Sequence, residues 1–173
     1  MIDKVVLVGQ PRSGTSMMMR VLEFGGVECE YDETRPKQLK KQFRNIHGFY
    51  ETQEKKPTKC FKCFNLIRVL DIPEDWRVIF IERNIEGVYE SWKQVHKREI
   101  KNEMKEQIQD TRTKFNRILD KFGFNVLKLD YDDVCQNPAE NLEKIREFLL
   151  PDKFNVEEAL KGIDGELYVE RGI

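Results

Sequence analysis

"VGQPRSGTSMMMRVL", residues 8–22, carries two glycines, Gly9 and Gly14, at the spacing of the phosphate-cradling pattern G-x-x-x-x-G-K-[ST]. Ser16 fills the last place, but Thr15 stands where the pattern has lysine, and Arg12 lies inside the loop. The apolar run before it, KVVLVG (4–9), reads as a buried parallel strand. The stretch after it, TSMMMRVLEFGG (15–26), has apolar residues at helical spacing and closes on Gly25-Gly26, a helix stop. A strand, a glycine loop and a helix make an anion cradle, in which backbone N–H groups converge at the turn and the helix dipole reinforces them. Ser13, Thr15 and Ser16 add hydroxyl donors around Gly14. Without the lysine the usual grip on a β,γ-bridge is gone. Arg12 instead brings a planar, permanently charged fork to the loop's mouth. That suits an anion that ends where a triphosphate would continue.

Outward from the loop, RVIFIER (77–83) is the clearest strand, followed by a helix at about 86–96. A longer amphipathic helix is expected over 98–122, with Ile100, Met104, Ile108, Phe115, Ile118, Leu119 and Phe122 largely on one face. KCFKCFNLI (59–67) reads as a strand running into a turn or short helix, FNVLKLDY (124–131) as a further strand, and 137–150 as a helix with Pro138 at its first position. Pro36 opens a helix through about Phe43, and the tail from Pro151 has no strong pattern. Strands alternating with helices predict an α/β fold with a central, mostly parallel sheet flanked by helices. Ligands of such sheets lie beyond the C-terminal strand ends. The loop at 9–16 and Glu82-Arg83-Asn84 are both at such ends.

The 173 residues read as one domain, 1–173, without linker or repeat. Eleven Phe and 39% hydrophobic residues supply a real core, which excludes a disordered chain. Charged residues reach 35% but nearly cancel to a formal −1, which argues against bulk nucleic-acid or anionic-membrane binding. Any anion site must come from local placement of Lys and Arg. No apolar run has membrane-spanning length, and MIDKVVLVGQ is too short and polar for a signal peptide, so a cytoplasmic location is expected. Cys60 and Cys63 form a C-x-x-C, but aromatic and strand-like residues surround them and no second pair completes a zinc site. With Cys29 and Cys135 they read as reduced thiols, and no metal is expected.

At this point the sequence resembles a known family. PRSGTS (11–16) is similar to the 5′-phosphosulfate loop of P-loop sulfotransferases, which use 3′-phosphoadenylyl sulfate (PAPS) and release PAP. VIFIERNIEGVYESW (78–92) resembles that family's 3′-phosphate motif, a strand, then Arg, then a helix carrying Ser eight residues later; Arg83 and Ser91 are that pair. NIHGFYE (45–51), DIPEDWRVIFIER (71–83) and KLDYDDVCQNPAENLEKIREFL (128–149) resemble further family segments in the same order, so the resemblance covers roughly residues 4–150. It implies a three-layer sulfotransferase-like fold, PAPS as donor, and a small-molecule, glycan or peptide acceptor. It also implies cofactor binding by Arg12, Ser13, Gly14, Thr15, Ser16, Met17, Arg83 and Ser91. The size and motifs suit a small bacterial or phage-like member.

Sulfuryl transfer, like phosphoryl transfer, is in-line displacement between two oxygens, so catalysis rests on positioning and electrostatics. It needs cations on the leaving phosphate and the transferring group, and a base for the acceptor. Arg12 matches the family's loop cation, and Lys62 in KCFKCFN aligns with a strand lysine. Cytosolic members read KTHLP near here, with His as base, but Phe64 takes its place and cannot accept a proton. His47 and His96 do not sit at matching positions. The base is then a carboxylate: Glu33, in DETR (32–35), resembles the EETR of tyrosylprotein sulfotransferases, and Glu51 is the reserve. Met17 departs from the family's Trp, which leaves the adenine contact open. Two alternatives stay in view. One is a P-loop kinase-like enzyme, against which the missing lysine and the lack of a clear magnesium-binding Asp argue. The other is a non-catalytic PAP/PAPS-binding protein. The short chain leaves little room for an acceptor pocket, which is then either open or completed by a partner subunit in an oligomer.

Overall fold

The computed structural model describes residues 4–31, 58–96, 103–149 and 152–163. Its centre is β1 (Val5–Gly9), buried along its whole length, with β2 (Phe61–Cys63) on one side and β3 (Arg77–Glu82) on the other; β4 (Asn125–Asp130) extends the sheet beyond β3. All four described strands are parallel, so the expected mostly parallel sheet is parallel throughout among the described residues. Continuous apolar strands are what a sheet covered on both faces requires.

Alternation along the strands divides the core in two. Val5, Leu7, Ile79 and Ile81 face one layer, built by α1 (Thr15–Phe24), α5 (Tyr131–Gln136), α6 (Pro138–Phe148) and α7 (Val156–Leu160). Val6, Val8, Val78 and Phe80 face the other, built by α2 (Leu66–Val69) and α4 (Glu103–Lys121), with Trp76, Phe115 and Leu119 between. Each such Val or Ile taken out of water contributes about 1.5–3 kcal/mol. A smaller cluster of Val88, Tyr89 and Ile108 joins α3 (Ile85–His96) to α4. The three-layer α/β architecture expected from the sequence is therefore present.

Local chemistry explains the element ends. Helix α1 stops at Phe24, and Gly26 takes φ 98° so that its N–H reaches Glu23 O at 3.0 Å and the Val27 N–H reaches Leu22 O at 2.9 Å, a Schellman closure. The expected strand 124–131 ends one residue early: the Asp130 side chain accepts the Asp133 N–H at 2.9 Å and caps α5, making Tyr131 helical. The tail read as patternless contains α7, capped by Asn155 accepting from Glu158 N at 3.1 Å, with Ala159 buried in the core. The helix expected from Pro36 and the first residues of the one expected over 98–122 lie outside the described residues.

The strand order β2-β1-β3-β4 sends the chain from β1 to one side and then, after β2, to the other. The crevice between the C-terminal ends of β1 and β3 is thus a topological switch point, the usual ligand position in such sheets. Gly9 pairs with Ile81 there, which sets the loop after β1 beside Arg83.

Candidate functional site

The loop after β1 turns on backbone shapes that its residues dictate. Gln10 O accepts both Ser13 N–H (3.2 Å) and Ser13 Oγ (2.8 Å), folding the loop back on itself. Gly14 takes φ 95°, and a Cβ there would lie 2.1 Å from Tyr131 Cδ2, so only glycine fits. Arg12 has φ 75°, the one left-handed non-glycine among the described residues. Such a conformation is strained for a residue with a Cβ and persists where the surroundings enforce it. Helix α1 begins at Gly14, which has no side chain to cap it, and carries no acidic residue in its first turn, so its N-terminal dipole favours an anion.

Three cations gather at this end of the sheet. Arg12 donates from Nε (3.0 Å) and Nη2 (2.9 Å) to the Ser91 hydroxyl on α3. Lys62, on β2, is 1% exposed, and its Nζ donates to Ser16 Oγ at 3.2 Å and lies 5.4 Å from the Phe64 ring centroid. Strand alternation explains this burial, since Lys62 shares the α1 side of β2 with Cys60. Arg83 follows β3 and is 5% exposed; its Nε and Nη1 have no hydrogen-bond partner. Its guanidinium lies 4.6 Å from the Tyr131 ring centroid. Asp132 Oδ1 is 3.9 Å from Arg83 Nε, too far for a hydrogen bond, while the other Asp132 oxygen accepts from Asn84. A buried guanidinium whose hydrogen-bonding capacity its neighbours leave unmet is costly, and its chemistry suits an anion.

Glu82, next to Arg83, does not cancel this charge. Alternation turns it to the opposite face, where Arg112 on α4 clamps it with two 3.0 Å hydrogen bonds and Asn116 adds a third at 2.6 Å. Those bonds raise the Arg112 pKa further and tie α4 to the strand end. Gln10 makes a second tie, its Nε2 donating to Ile108 O at 2.5 Å.

Every site residue expected from the sequence that the structure describes lies at this end. Ser13 and Thr15 are buried; Met17 packs against the core, its Sδ 3.9 Å from Cys135 Sγ. Ser91 is 2% exposed and touches Arg12 directly. Glu33, Glu51 and His47 lie outside the described residues, and His96 is the last residue of α3. All four cysteines are free; burial first, then Cys29, pushes the Cys60 thiol well above its ordinary range. Among the described residues no group of three His, Cys, Asp or Glu is placed to hold a metal ion, and no helix is long and apolar enough to cross a membrane. Tyr131, Asp132 and Gly87 were not singled out from the sequence. The first two lie in LDYDDV, which carried part of the resemblance, but their approach to Arg83 depends on the early end of β4.

The sulfotransferase domain family model matches residues 2–164. Among solved structures, the mouse sulfotransferase SULT7A1 complexed with PAP is similar, with 18% sequence identity and a TM-score of 0.60, over 94% of this chain and 63% of that one. This chain therefore spans less than two thirds of that relative's length. A sulfotransferase from Alicyclobacillus acidocaldarius aligns with 11% identity and a TM-score of 0.48, over 84% of this chain and 80% of its own. No curated protein matches in sequence.

Proposed function

Since the chain belongs to the sulfotransferase domain family, we propose that it moves a sulfuryl group from PAPS to a hydroxyl or amine of a small-molecule, glycan or peptide acceptor. The observation that carries this reading is Arg83, a buried guanidinium with two nitrogens that make no hydrogen bond, beside a glycine-capped loop at the start of α1. Two adjacent anion sites suit a nucleotide with a 5′ group and a separate 3′-phosphate. The PAP found with the mouse sulfotransferase agrees with that ligand class.

When bound, PAPS supplies the activated sulfuryl group. The chain supplies binding and charge. Loop N–H groups with Ser13, Gly14, Thr15 and Ser16 hold the 5′-phosphate, and Met17, which follows them on α1, takes the place of the family's adenine-stacking Trp. Arg83 and Ser91 take the 3′-phosphate. Arg12 and Lys62 set positive charge against the leaving phosphate and the transferring group. Glu33 accepts the acceptor's proton, with Glu51 in reserve. The scheme uses no metal.

The test is transfer from labelled PAPS to a panel of phenols, steroids, sugars and tyrosine peptides. Wild type is expected to label at least one class. Glu33→Gln, which keeps size but cannot take a proton, is expected to keep PAP affinity and lose roughly 10²–10⁴ in turnover. Tight PAP binding with no labelled product in any class would count for the non-catalytic alternative. Phosphoryl transfer from ATP would count for the kinase-like one.

A further inference from the structure

Gly87 is the third residue of α3, and its backbone gives no reason for glycine, since its φ is not left-handed. Glycine is the least favourable helix residue after proline, so alanine would serve the helix better. What the position lacks is room for a methyl group. A Cβ on Gly87 would lie 2.6 Å from Arg83 Nε, 3.1 Å from its Cζ and 3.2 Å from Nη2, and these are its three nearest neighbours. The same guanidinium rests on the Tyr131 ring, and that ring already fills the space over Gly14. Arg83 is therefore bordered by Gly87 and by the Tyr131 ring, which in turn borders the phosphate loop. Asn84 Oδ1 accepts the Gly87 N–H at 2.6 Å and fixes this turn of helix to the strand end. Ser91 follows Gly87 by four residues, so the two share one helix face.

We infer that Gly87 is a positioning residue: its missing side chain sets the Arg83 guanidinium one helical turn before Ser91, and so sets the preference for a nucleotide bearing a second phosphate. The inference rests on the reading that Arg83 and Ser91 hold a 3′-phosphate. A side chain at this position displaces the guanidinium tip rather than the fold, because the atoms it meets belong to the end of one side chain.

The experiment is calorimetry with PAP and with AMP on wild type, Gly87→Ala, Arg83→Ala and the double variant, with a thermal melt of each free protein. Gly87→Ala is expected to weaken PAP roughly tenfold or more, the scale of a charge-assisted contact, and AMP by less than about twofold. Its thermal midpoint should equal or exceed wild type, because alanine strengthens the helix. The double variant should bind PAP no more weakly than Arg83→Ala, since both changes remove one interaction. Unchanged PAP affinity in Gly87→Ala, beside a clear loss in Arg83→Ala, would overturn the inference and leave the 3′-phosphate reading standing. Equal losses of PAP and AMP, or a Gly87→Ala protein that does not fold, would also overturn it. An unchanged PAP-to-AMP ratio in Arg83→Ala would overturn the 3′-phosphate reading itself.

Discussion

Arg12 and Ser91, 79 residues apart in sequence, meet through two hydrogen bonds of 3.0 and 2.9 Å onto one hydroxyl. The phosphate loop and helix α3 are thereby joined at the mouth of the site, and Arg12 reaches across while its own backbone sits at φ 75°.

That backbone angle gives the first prediction. Arg12→Ala and Arg12→Gly lose the same side-chain contacts but differ in the cost of a left-handed residue, about 1–2 kcal/mol for one carrying a Cβ. Arg12→Gly is expected to be the more stable by roughly 1 kcal/mol in urea unfolding, and both variants should lose turnover. Equal stabilities would show that the loop relaxes once the guanidinium is gone.

Lys62 is among the largest fully buried side chains, and its Nζ donates to Ser16 on the phosphate loop. Lys62→Met keeps much of the side chain's volume and removes its charge, so it should leave a folded protein while cutting turnover by roughly 10²-fold or more, the usual loss for a charge-stabilising group. A large fall in midpoint would make Lys62 a structural residue.

Asp133 carries the third prediction. Hydrogen bonds from Asn137 first, and then from the buried Asn141, hold its pKa below the ordinary aspartate value. A depressed folded-state pKa contributes stability above the unfolded value, and that contribution is lost as pH falls through the folded one. Wild type should lose stability below about pH 4, and Asp133→Asn should show a shallower fall over the same range. Parallel curves would contradict the assignment.

How much of this was legible in the sequence follows from the range of the forces involved. Strands β1 and β3 were readable because a parallel strand buried on both faces must be apolar throughout. The turn into α1 was readable because its left-handed backbone demands a glycine, which Gly14 supplies. Arg83 and Ser91 were readable as a spaced pair, and the structure sets them on neighbouring elements. Lys62's burial was not, since a lone lysine in KCFKCFN looks equally like a solvated one until β2 is placed beside β1 and under α1. Gly87 was invisible for a similar reason: only the approach of Arg83 explains it, and that approach is tertiary. The end of β4 was misplaced by one residue because the Asp130 cap competes with strand continuation. Glu33, the expected base, was legible by resemblance alone and lies outside the described residues.

The central claim is that the switch-point crevice holds a nucleotide with two separate phosphate sites, one on the α1 loop and one on Arg83 with Ser91. The most direct measurement is calorimetric titration of the wild-type protein with PAP, AMP and ATP in the absence of magnesium. PAP is expected to bind roughly tenfold to a hundredfold more tightly than AMP, as one charge-assisted phosphate contact predicts, and more tightly than ATP. Equal affinities for PAP and AMP, or a preference for ATP that requires magnesium, would contradict the account.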